Sequence, residues 1–283
     1  MTTSDVAARA GWDEHPKRMG FFTDTSICIG CKACEVACKE WNGVPDDGYD
    51  LLGLSYDNTG SLSANTWRHV AFIEQSKPFG LQESGIEATL ADDRNDVRWL
   101  MSSDVCKHCT EAGCLDVCPT GALFRTEFGT VVVQQDICNG CGYCIPACPF
   151  GVIDRRESDG KAWKCTLCYD RIGDDETPAC AKACPTNSIQ YGPLDELREH
   201  AQGRVEQLVE AGVTDAQLYL DDAGDGVGGA GAFFLLLDKP EVYGLPPDPV
   251  VPTRDLWAMW RRAATAAGVF TGLGVAAFVG RRR

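Results

Sequence analysis

The chain has 283 residues, of which 44% are hydrophobic and 24% are charged, and its formal net charge is -15. A chain of this length can bury a hydrophobic core without disulfide cross-links. The acidic balance argues against a nucleic-acid-binding protein and against adsorption to anionic lipid through a basic surface.

An N-terminal segment precedes the first cysteine. Residues 1–27 contain no apolar stretch of the kind that forms a secretory signal peptide. We therefore interpret residues 1–27 as an N-terminal extension.

Sixteen cysteines follow in four groups of four, with none left over. The groups are Cys28, Cys31, Cys34 and Cys38; Cys106, Cys109, Cys114 and Cys118; Cys138, Cys141, Cys144 and Cys148; and Cys165, Cys168, Cys180 and Cys184. From Cys138 to Pro149 the third group has the C-x2-C-x2-C-x3-C-P spacing of bacterial ferredoxins. Because four thiolates ligate one cubane cluster, the groups predict four [4Fe-4S] clusters, with iron bound through all sixteen cysteines.

Two other uses of cysteine fit this spacing less well. Structural zinc also takes four thiolates, but usually from two C-x2-C pairs and often together with histidine. Disulfide frameworks are typical of short secreted chains that lack a core. Zinc and disulfides therefore remain the alternatives to iron-sulfur clusters.

Other polar residues lie beside the cysteines in sequence. His108 is predicted either to be solvated or to lie behind the thiolate ligands, because thiolates already complete every site. A positive side chain near a cluster favours its reduced, more negative form and raises its reduction potential. Five cations fit either this role or a hydrated surface position: Lys32, Lys39, Lys107, Lys164 and Arg171.

A long insertion, residues 39–105, separates the first two cysteine groups. It contains two strand-like stretches, at 66–74 and 97–101, and is expected to pack beside the cluster domain. After the fourth group, a helix is predicted at 194–212 and a buried strand at 232–238. The expected apolar contacts of that helix are Leu194, Leu197, Val205, Leu208 and Val209.

The C-terminal segment resembles a membrane helix. Residues 263–280 carry no charge and would span about 27 Å as a helix, close to the roughly 30 Å of a bilayer core. Trp257 and Trp260 precede this segment, where interfacial aromatic residues are typical. A buried helix or a surface amphipathic helix is the alternative. Arginines lie on both flanks, including Arg281 to Arg283, so the positive-inside rule gives no orientation.

These elements predict an α+β fold with two ferredoxin-like [4Fe-4S] dicluster modules, insertions and one C-terminal transmembrane helix. The predicted cluster domain is 28–193. A C-terminal helix and strand extension with a proline-rich linker occupies 194–252, and a membrane anchor occupies 253–283.

The chain resembles the iron-sulfur (beta) subunit of membrane-bound formate dehydrogenase, within the four-cluster electron-transfer subunits of molybdopterin oxidoreductases. The resemblance covers about residues 21–280 and is strongest in CIGCKACEVACKEWN, CNGCGYCIPACPFGV and KCTLCYDRI. The four-cluster pattern alone is shared with subunits that serve other substrates. The EWN after the first group, the helix and strand after the fourth group, and the C-terminal span favour formate.

The resemblance implies a pairing of the cysteine groups. It assigns one cluster to Cys28, Cys31, Cys34 and Cys184, a second to Cys38, Cys165, Cys168 and Cys180, a third to Cys106, Cys109, Cys114 and Cys148, and a fourth to Cys118, Cys138, Cys141 and Cys144. The first and fourth groups then form one ferredoxin-like half, and the second and third groups form the other.

The resemblance also implies a function. The chain would receive electrons from a catalytic subunit with a molybdenum or tungsten pterin and pass them to a membrane cytochrome b or quinone-binding subunit. No catalytic residues are predicted on this chain. The resemblance implies a single-pass protein of the cell membrane with its cluster domain on the extracytoplasmic side, although the cytoplasmic side also fits the sequence.

Two other functions remain alternatives. The chain could serve another molybdopterin reductase, for a sulfur compound, dimethyl sulfoxide or nitrite, or a hydrogenase. It could also be a soluble polyferredoxin carrier whose C-terminal segment folds back as a buried helix.

Overall fold

The computed structural model describes residues 5–48, 56–57, 59–75 and 98–280. Its strands are β1 (Met19–Asp24), β2 (Arg68–Gln75), β3 (Arg98–Val105), β4 (Leu123–Arg125), β5 (Val131–Val133), β6 (Asp154–Arg155), β7 (Ala162–Trp163), β8 (Ile189–Pro193), β9 (Gln217–Tyr219) and β10 (Ala232–Leu236). Its helices are α1 (Val6–Arg9), α2 (Ala33–Asn42), α3 (Gly113–Asp116), α4 (Tyr169–Gly173), α5 (Ala179–Lys182), α6 (Leu194–Glu210) and α7 (Leu256–Gly280). The predicted α+β class is confirmed.

A mixed sheet in the order β8-β1-β10-β9 forms the main core. Strand β1 pairs in parallel with β10, with Phe22 opposite Phe233, and pairs antiparallel with β8. All residues of β10 are buried, as in a strand covered on both faces, so the buried strand predicted here is confirmed. The sheet takes strands from the predicted N-terminal extension, cluster domain and C-terminal extension. These three segments therefore share one core, and their exact bounds stay a prediction.

Helix α6 packs against β1, β8 and β9. Four of its predicted apolar contacts are buried or partly buried against the core: Leu194, Leu197, Val205 and Leu208. The prediction was wrong for Val209, which is 44% exposed, and it omitted the fully buried Ala201. Val209 lies in the last turn of α6 and at the edge of the apolar face, about 40° beyond Val205 and about 100° from Leu208.

The insertion forms an antiparallel pair of strands, β2 and β3, in which Phe72 lies opposite Met101. It packs beside the cluster domain as expected, with β2 against α2. Val97, at the start of the predicted second strand, lies outside the described residues. Strand β3 continues beyond the predicted end through Ser102 and Ser103, which are buried, to the residue before Cys106. The insertion therefore brings polar side chains close to the cysteines.

The second and third cysteine groups are framed by two small hairpins, β4–β5 and β6–β7. Apolar side chains from these segments form a separate core cluster with the cysteines. Its buried members include Leu123, Val131, Val133 and Ile153, with Cys109, Cys114, Cys138 and Cys148 packed against them. This part of the protein thus surrounds its thiols largely with aliphatic side chains.

The proline-rich linker lies against the second cysteine group. Val251 is buried beside Gly113, because a Cβ added to Gly113 would lie only 3.0 Å from the Val251 side chain. The Thr253 hydroxyl donates a hydrogen bond to Asp116 at 2.5 Å. The segment that leads to the C-terminal helix is therefore attached next to Cys114 and Cys118.

Helix α7 contains the predicted membrane segment and begins seven residues earlier, so Trp257 and Trp260 lie within it. Its 25 residues span about 37 Å, and an 18-residue stretch within it has a mean hydropathy of 1.7, which makes it a candidate membrane span by length and composition. Within the part of the protein that the structure describes, none of its residues is buried, which is contrary to the alternative of a helix folded back into the protein. Arg281 to Arg283 lie outside the described residues.

Candidate iron-sulfur sites

All sixteen cysteines are free thiols, contrary to a disulfide framework. Over residues 5–48, 56–57, 59–75 and 98–280, no three His, Cys, Asp or Glu side chains converge closely enough to hold a single metal ion. A cubane cluster distributes its four thiolates over separate iron atoms at its corners. The four thiols of a cluster therefore lie farther apart than the ligands of a single metal ion, and cysteines grouped at this wider spacing are the candidate cluster ligands.

The first and fourth cysteine groups meet in space. Helix α2 carries Cys38 and packs against α5, which carries Cys180. Burial raises the pKa of the Cys38 thiol well above its usual range, and the thiolates around it raise this pKa further. Those thiolates are Cys165, Cys180 and Cys168. Burial also raises the pKa of Cys28, with further increases from Cys184 and Cys31.

The second and third groups meet in the same way. Burial raises the pKa of Cys109 well above its usual range, and three thiolates add to this: Cys106, Cys114 and Cys148. Burial raises the pKa of Cys144 to about 11, and three further thiolates contribute: Cys138, Cys141 and Cys118. The structure therefore brings together cysteines from different groups, and the pairing implied by the resemblance stays a prediction.

Two cysteines are exposed, Cys31 and Cys141. Each is the second cysteine of a C-x2-C-x2-C run, and a glycine precedes each of them. Both glycines have a positive φ, +65° for Gly30 and +71° for Gly140, which favours a residue without a Cβ. A Cβ on Gly140 would lie 2.3 Å from the carbonyl oxygen of Gly160. The tight ligand loops therefore depend on these glycines.

Of the five predicted cations, Lys107, Lys164 and Arg171 are buried, so the hydrated-surface alternative is wrong for them. The Lys107 amine donates to the carbonyl oxygen of Val105 and pairs with Asp104. The Lys164 amine donates to the carbonyl oxygens of Val131 and Cys165.

The other two predicted cations are partly exposed. Lys32 pairs with Asp57 at 3.0 Å. Lys39 donates to the carbonyl oxygen of Asn65 and pairs with Asp47. Both therefore tie the first cysteine group to the insertion.

His108 is fully buried, so the solvated alternative is wrong. Its Nδ1 accepts a hydrogen bond from the amide of Val131 at 3.0 Å, which leaves the proton on Nε2. Burial lowers the pKa of His108 well below its usual range, and the positive charge of Lys164 lowers it further, so the ring is neutral. Within the described residues, the Nε2 donor has no hydrogen-bond partner. A cluster sulfur would supply the acceptor that this buried donor lacks.

Arg68 is a buried functional residue that sequence reasoning missed. Its Nη2 donates to the Cys180 sulfur at 3.3 Å, and its Nη1 donates to the Ser103 hydroxyl at 3.2 Å. That hydroxyl lies 3.3 Å from the Cys34 sulfur. Burial acts to lower the pKa of Arg68, but the surrounding thiolates, led by Cys180, raise it above its usual range. Arg68 lies far from any cysteine in sequence, so no local pattern could have found it.

Asn42 gives a structural reason for the EWN segment. Its side-chain amide donates to the carbonyl oxygen of Cys38 and lies 3.7 Å from the Cys38 sulfur and 4.0 Å from the Cys168 sulfur. Trp41 donates to Asp170 at 2.8 Å and stacks on Arg171. The segment thus joins the first and fourth groups at their thiols.

The donor set fits [4Fe-4S] clusters. Free thiols converge from separate cysteine groups, a neutral histidine presents a donor that has no partner among the described residues, and a buried guanidinium has sulfur as its anionic neighbour. Fold and site together define a ferredoxin-like iron-sulfur protein that accepts and donates single electrons.

Comparison with known proteins agrees with this class. A 4Fe-4S dicluster domain family matches residues 27–122, and a second matches residues 97–194. The iron-sulfur subunit of nitrate-inducible formate dehydrogenase from Escherichia coli is 38% identical over 96% of this chain and 92% of its own length. The formate dehydrogenase iron-sulfur subunit of Haemophilus influenzae is 39% identical over 84% of this chain and 72% of its own length. The B subunit of anaerobic dimethyl sulfoxide reductase from Escherichia coli is 34% identical over 64% of this chain and 76% of its own length.

The protein belongs to the family of formate dehydrogenase iron-sulfur subunits. It is therefore an electron-transfer subunit of a molybdopterin oxidoreductase and not its catalytic subunit. The predicted fold of [4Fe-4S] dicluster modules is confirmed.

Proposed function

We propose that this chain holds four [4Fe-4S] clusters and relays electrons from a formate-oxidising molybdenum or tungsten pterin subunit to a membrane cytochrome b or quinone-binding subunit. Cluster 1 takes Cys28, Cys31, Cys34 and Cys184, cluster 2 takes Cys38, Cys165, Cys168 and Cys180, cluster 3 takes Cys106, Cys109, Cys114 and Cys148, and cluster 4 takes Cys118, Cys138, Cys141 and Cys144. The interactions among these thiolates support each set. When bound, each cluster takes up and releases one electron.

The electrostatic influence of thiolates in one set on thiols of another supports a linear order of the clusters, and this mutual influence carries the proposal. The thiolate of Cys180 acts on the pKa of Cys34, which joins clusters 1 and 2. Cys106 acts on the pKa of Cys165, which joins clusters 2 and 3. Cys144 acts on the pKa of Cys114, which joins clusters 3 and 4. A relay 1-2-3-4 follows.

The two ends of this order are also where the exposed cysteines lie. Exposed apolar residues flank Cys31 in cluster 1, namely Ile29 and Val36. Ile137 and Tyr143 do the same beside Cys141 in cluster 4. Apolar surface next to a terminal cluster is suited to docking a partner subunit. Each end of the relay therefore offers a partner-binding surface.

The C-terminal segment supports an assignment of the ends. The linker is attached beside Cys114 and Cys118 through Val251 and Thr253, and α7 begins three residues later. This attachment favours cluster 4 as the exit toward the membrane and cluster 1 as the entry from the catalytic subunit. In this arrangement α7 anchors the chain as a single-pass membrane helix. The extracytoplasmic side is proposed for the cluster domain because the resemblance implies it.

The extent of similarity supports formate as the partner's substrate. The formate dehydrogenase relative matches nearly the whole chain, whereas the dimethyl sulfoxide reductase relative leaves about a third of it unmatched. A second candidate is the same relay run in reverse, toward a reductase. The similarity to the B subunit of dimethyl sulfoxide reductase, which covers about two thirds of this chain, favours that candidate.

The test is to purify the complex from its native membrane anaerobically and to record the visible absorption of the clusters when formate is added. Bleaching by formate, together with molybdenum or tungsten in the preparation, supports the proposal. Bleaching by dithionite but not by formate would leave the relay intact and assign it to another substrate. A preparation that contains far fewer than sixteen irons per chain would contradict the four-cluster assignment.

A further inference from the structure

Arg68 lies between thiols that the proposed assignment gives to two different clusters. One end of its guanidinium contacts Cys180 directly, and the other reaches Cys34 through the Ser103 hydroxyl. The side chain is 1% exposed, and its guanidinium lies 5.0 Å from the centre of the Phe21 ring. Arg68 is therefore a fixed positive charge in a position that water does not reach.

A buried charge is costly unless it is paired. Among the described residues, Arg68 forms no ion pair with a carboxylate, and its polar neighbours are the Cys180 sulfur and the carbonyl and hydroxyl oxygens of Ser103. The negative charge that balances it is therefore carried by cysteine sulfur. A guanidinium stays protonated throughout the accessible pH range, so this charge is permanent.

We propose that Arg68 is the shared counterion of clusters 1 and 2, and that its charge holds the reduction potentials of both clusters above the values they would otherwise have. This inference rests on the proposed function, because it assigns Cys34 and Cys180 to neighbouring clusters. A thiolate-ligated cluster is an anion that becomes more negative on reduction. A cation against its sulfur therefore favours the reduced form, and low local polarity strengthens the effect. A cation between two such anions also screens their mutual repulsion.

The Ser103 hydroxyl allows the effect of Arg68 on cluster 1 to be separated from its effect on cluster 2. Because its oxygen accepts from Arg68, its own proton is free to donate to the Cys34 sulfur. Loss of this hydroxyl removes a donor from cluster 1 and leaves the direct contact between Arg68 and Cys180 in cluster 2. Ser103 and Arg68 should therefore give different patterns of change in the four potentials.

The test is a redox titration, followed by electron paramagnetic resonance, of the intact complex carrying Arg68→Gln, with iron content measured in parallel. Two of the four midpoint potentials should fall by about 59 mV or more. For a one-electron cluster, a fall of this size is a tenfold change in the ratio of reduced to oxidised cluster at a given potential. The other two should stay within twofold of the wild type. In Arg68→Lys, which keeps the charge, both potentials should lie most of the way back toward their wild-type values.

Two further variants make the result specific. Ser103→Ala should lower one potential only, that of cluster 1. Arg98→Gln removes another buried arginine of the same strand pair, whose Nη2 donates to the carbonyl oxygen of Leu237, and should change no potential. If Arg68→Gln prevents cluster assembly, Arg68→Lys and Ser103→Ala carry the test.

The inference is overturned if Arg68→Gln leaves all four potentials unchanged or lowers only one, or, where that variant does not assemble, if Ser103→Ala lowers none. Failure of the proposed function has a different signature. In that case formate does not reduce the clusters of the wild-type complex, while the shift between wild type and Arg68→Gln persists in titrations with chemical reductants.

Discussion

Each proposed ferredoxin-like half contains a buried arginine beside its cysteines, but the two arginines contact different atoms. Arg68, in the half formed by the first and fourth groups, donates to the Cys180 sulfur. Arg125, in the half formed by the second and third groups, donates to the carbonyl oxygens of Cys109, Thr110 and Gly129. The same residue type thus acts on ligand atoms in one half and on the ligand loop in the other.

The two halves also differ in the groups that surround their thiols. In the first half, the insertion supplies Arg68 and Ser103, and α2 supplies Asn42, so several polar groups lie next to sulfur. In the second half, aliphatic residues of the small hairpins pack on the cysteines, and the polar contacts of sulfur are made by neutral groups, the Ala162 amide with Cys138 and the Thr120 hydroxyl with Cys118. Hydrogen bonds to sulfur, nearby charge and solvent exposure set cluster potentials. The cysteine motif therefore builds the cluster, and the residues around it adjust the potential.

The largest predicted effect tests whether the halves are built as proposed. Cys38→Ala should remove the cluster held by Cys165 and spare the cluster held by Cys31, because Cys38 lies among the thiolates of Cys165, Cys168 and Cys180. Iron content and the resolved paramagnetic signals measure this. Loss of the Cys31 cluster alone would refute the pairing.

The second prediction separates the roles of the two arginines. Arg125→Met leaves three carbonyl oxygens, two of them in buried hydrogen bonds, without their donor and should lower the stability of the second half by about 4 kcal/mol. The measurement is the temperature at which the complex loses cluster absorption. The potentials of molecules that keep their clusters should not shift, in contrast to Arg68→Gln.

Arg155→Met is the matched control, because Arg155 is an exposed arginine of the neighbouring hairpin. It should leave the temperature of cluster loss unchanged. A shift of potential without loss of stability in Arg125→Met would show that Arg125 acts on the clusters directly, and the contrast between the halves would fail.

The third prediction compares the two ligand loops at equivalent positions. Gly140→Ala adds a Cβ that would lie 2.3 Å from a backbone oxygen, at a positive φ, and should cost about 3 kcal/mol. Gly30→Ala also has a positive φ, but its Cβ would meet the Phe72 ring, which can rotate away, so it should cost only about 1–2 kcal/mol. Rates of cluster loss on warming should rank the variants in this order. Equal rates would mean that the backbone contact at Gly160 is not limiting.

Sequence reasoning succeeded where spacing along the chain carries the information. The cysteine runs and the uncharged segment at 263–280 are local patterns, and both led to the correct family and fold. Arg68 and Ser103 escaped, because a pair of strands carries them to Cys180 and Cys34, which are far from them in sequence. The burial of His108 and Lys107 could not be read either, since a residue beside a cysteine is solvated or enclosed according to what packs over it. Here Val131 and the strand β3 supply that cover.

The smallest predicted effect concerns the attachment of the insertion to the first ligand loop. The Asp57 carboxylate accepts hydrogen bonds from His69 at 2.7 Å and from Lys32 at 3.0 Å. Burial acts to raise its pKa, but the donors His69, Thr59 and Lys32 together lower the pKa to about 2. Asp57→Asn should therefore weaken this attachment by roughly 1–2 kcal/mol and speed the loss of cluster 1 near neutral pH.

The lowered pKa of Asp57 sets the pH range in which its charge stabilises the attachment of the insertion. Because the pKa of Asp57 is lower in the folded protein than its ordinary value of 3.8, the stabilisation is complete above about pH 4 and is lost as the pH falls through about 2. In rapid acidification experiments, the ratio of cluster-loss rates between Asp57→Asn and wild type should be constant down to about pH 4 and then approach one. The exposed Asp248→Asn should give a ratio of one throughout. A ratio for Asp57→Asn that grows with acidity would mean that the charge of Asp57 does not hold the insertion against the first ligand loop.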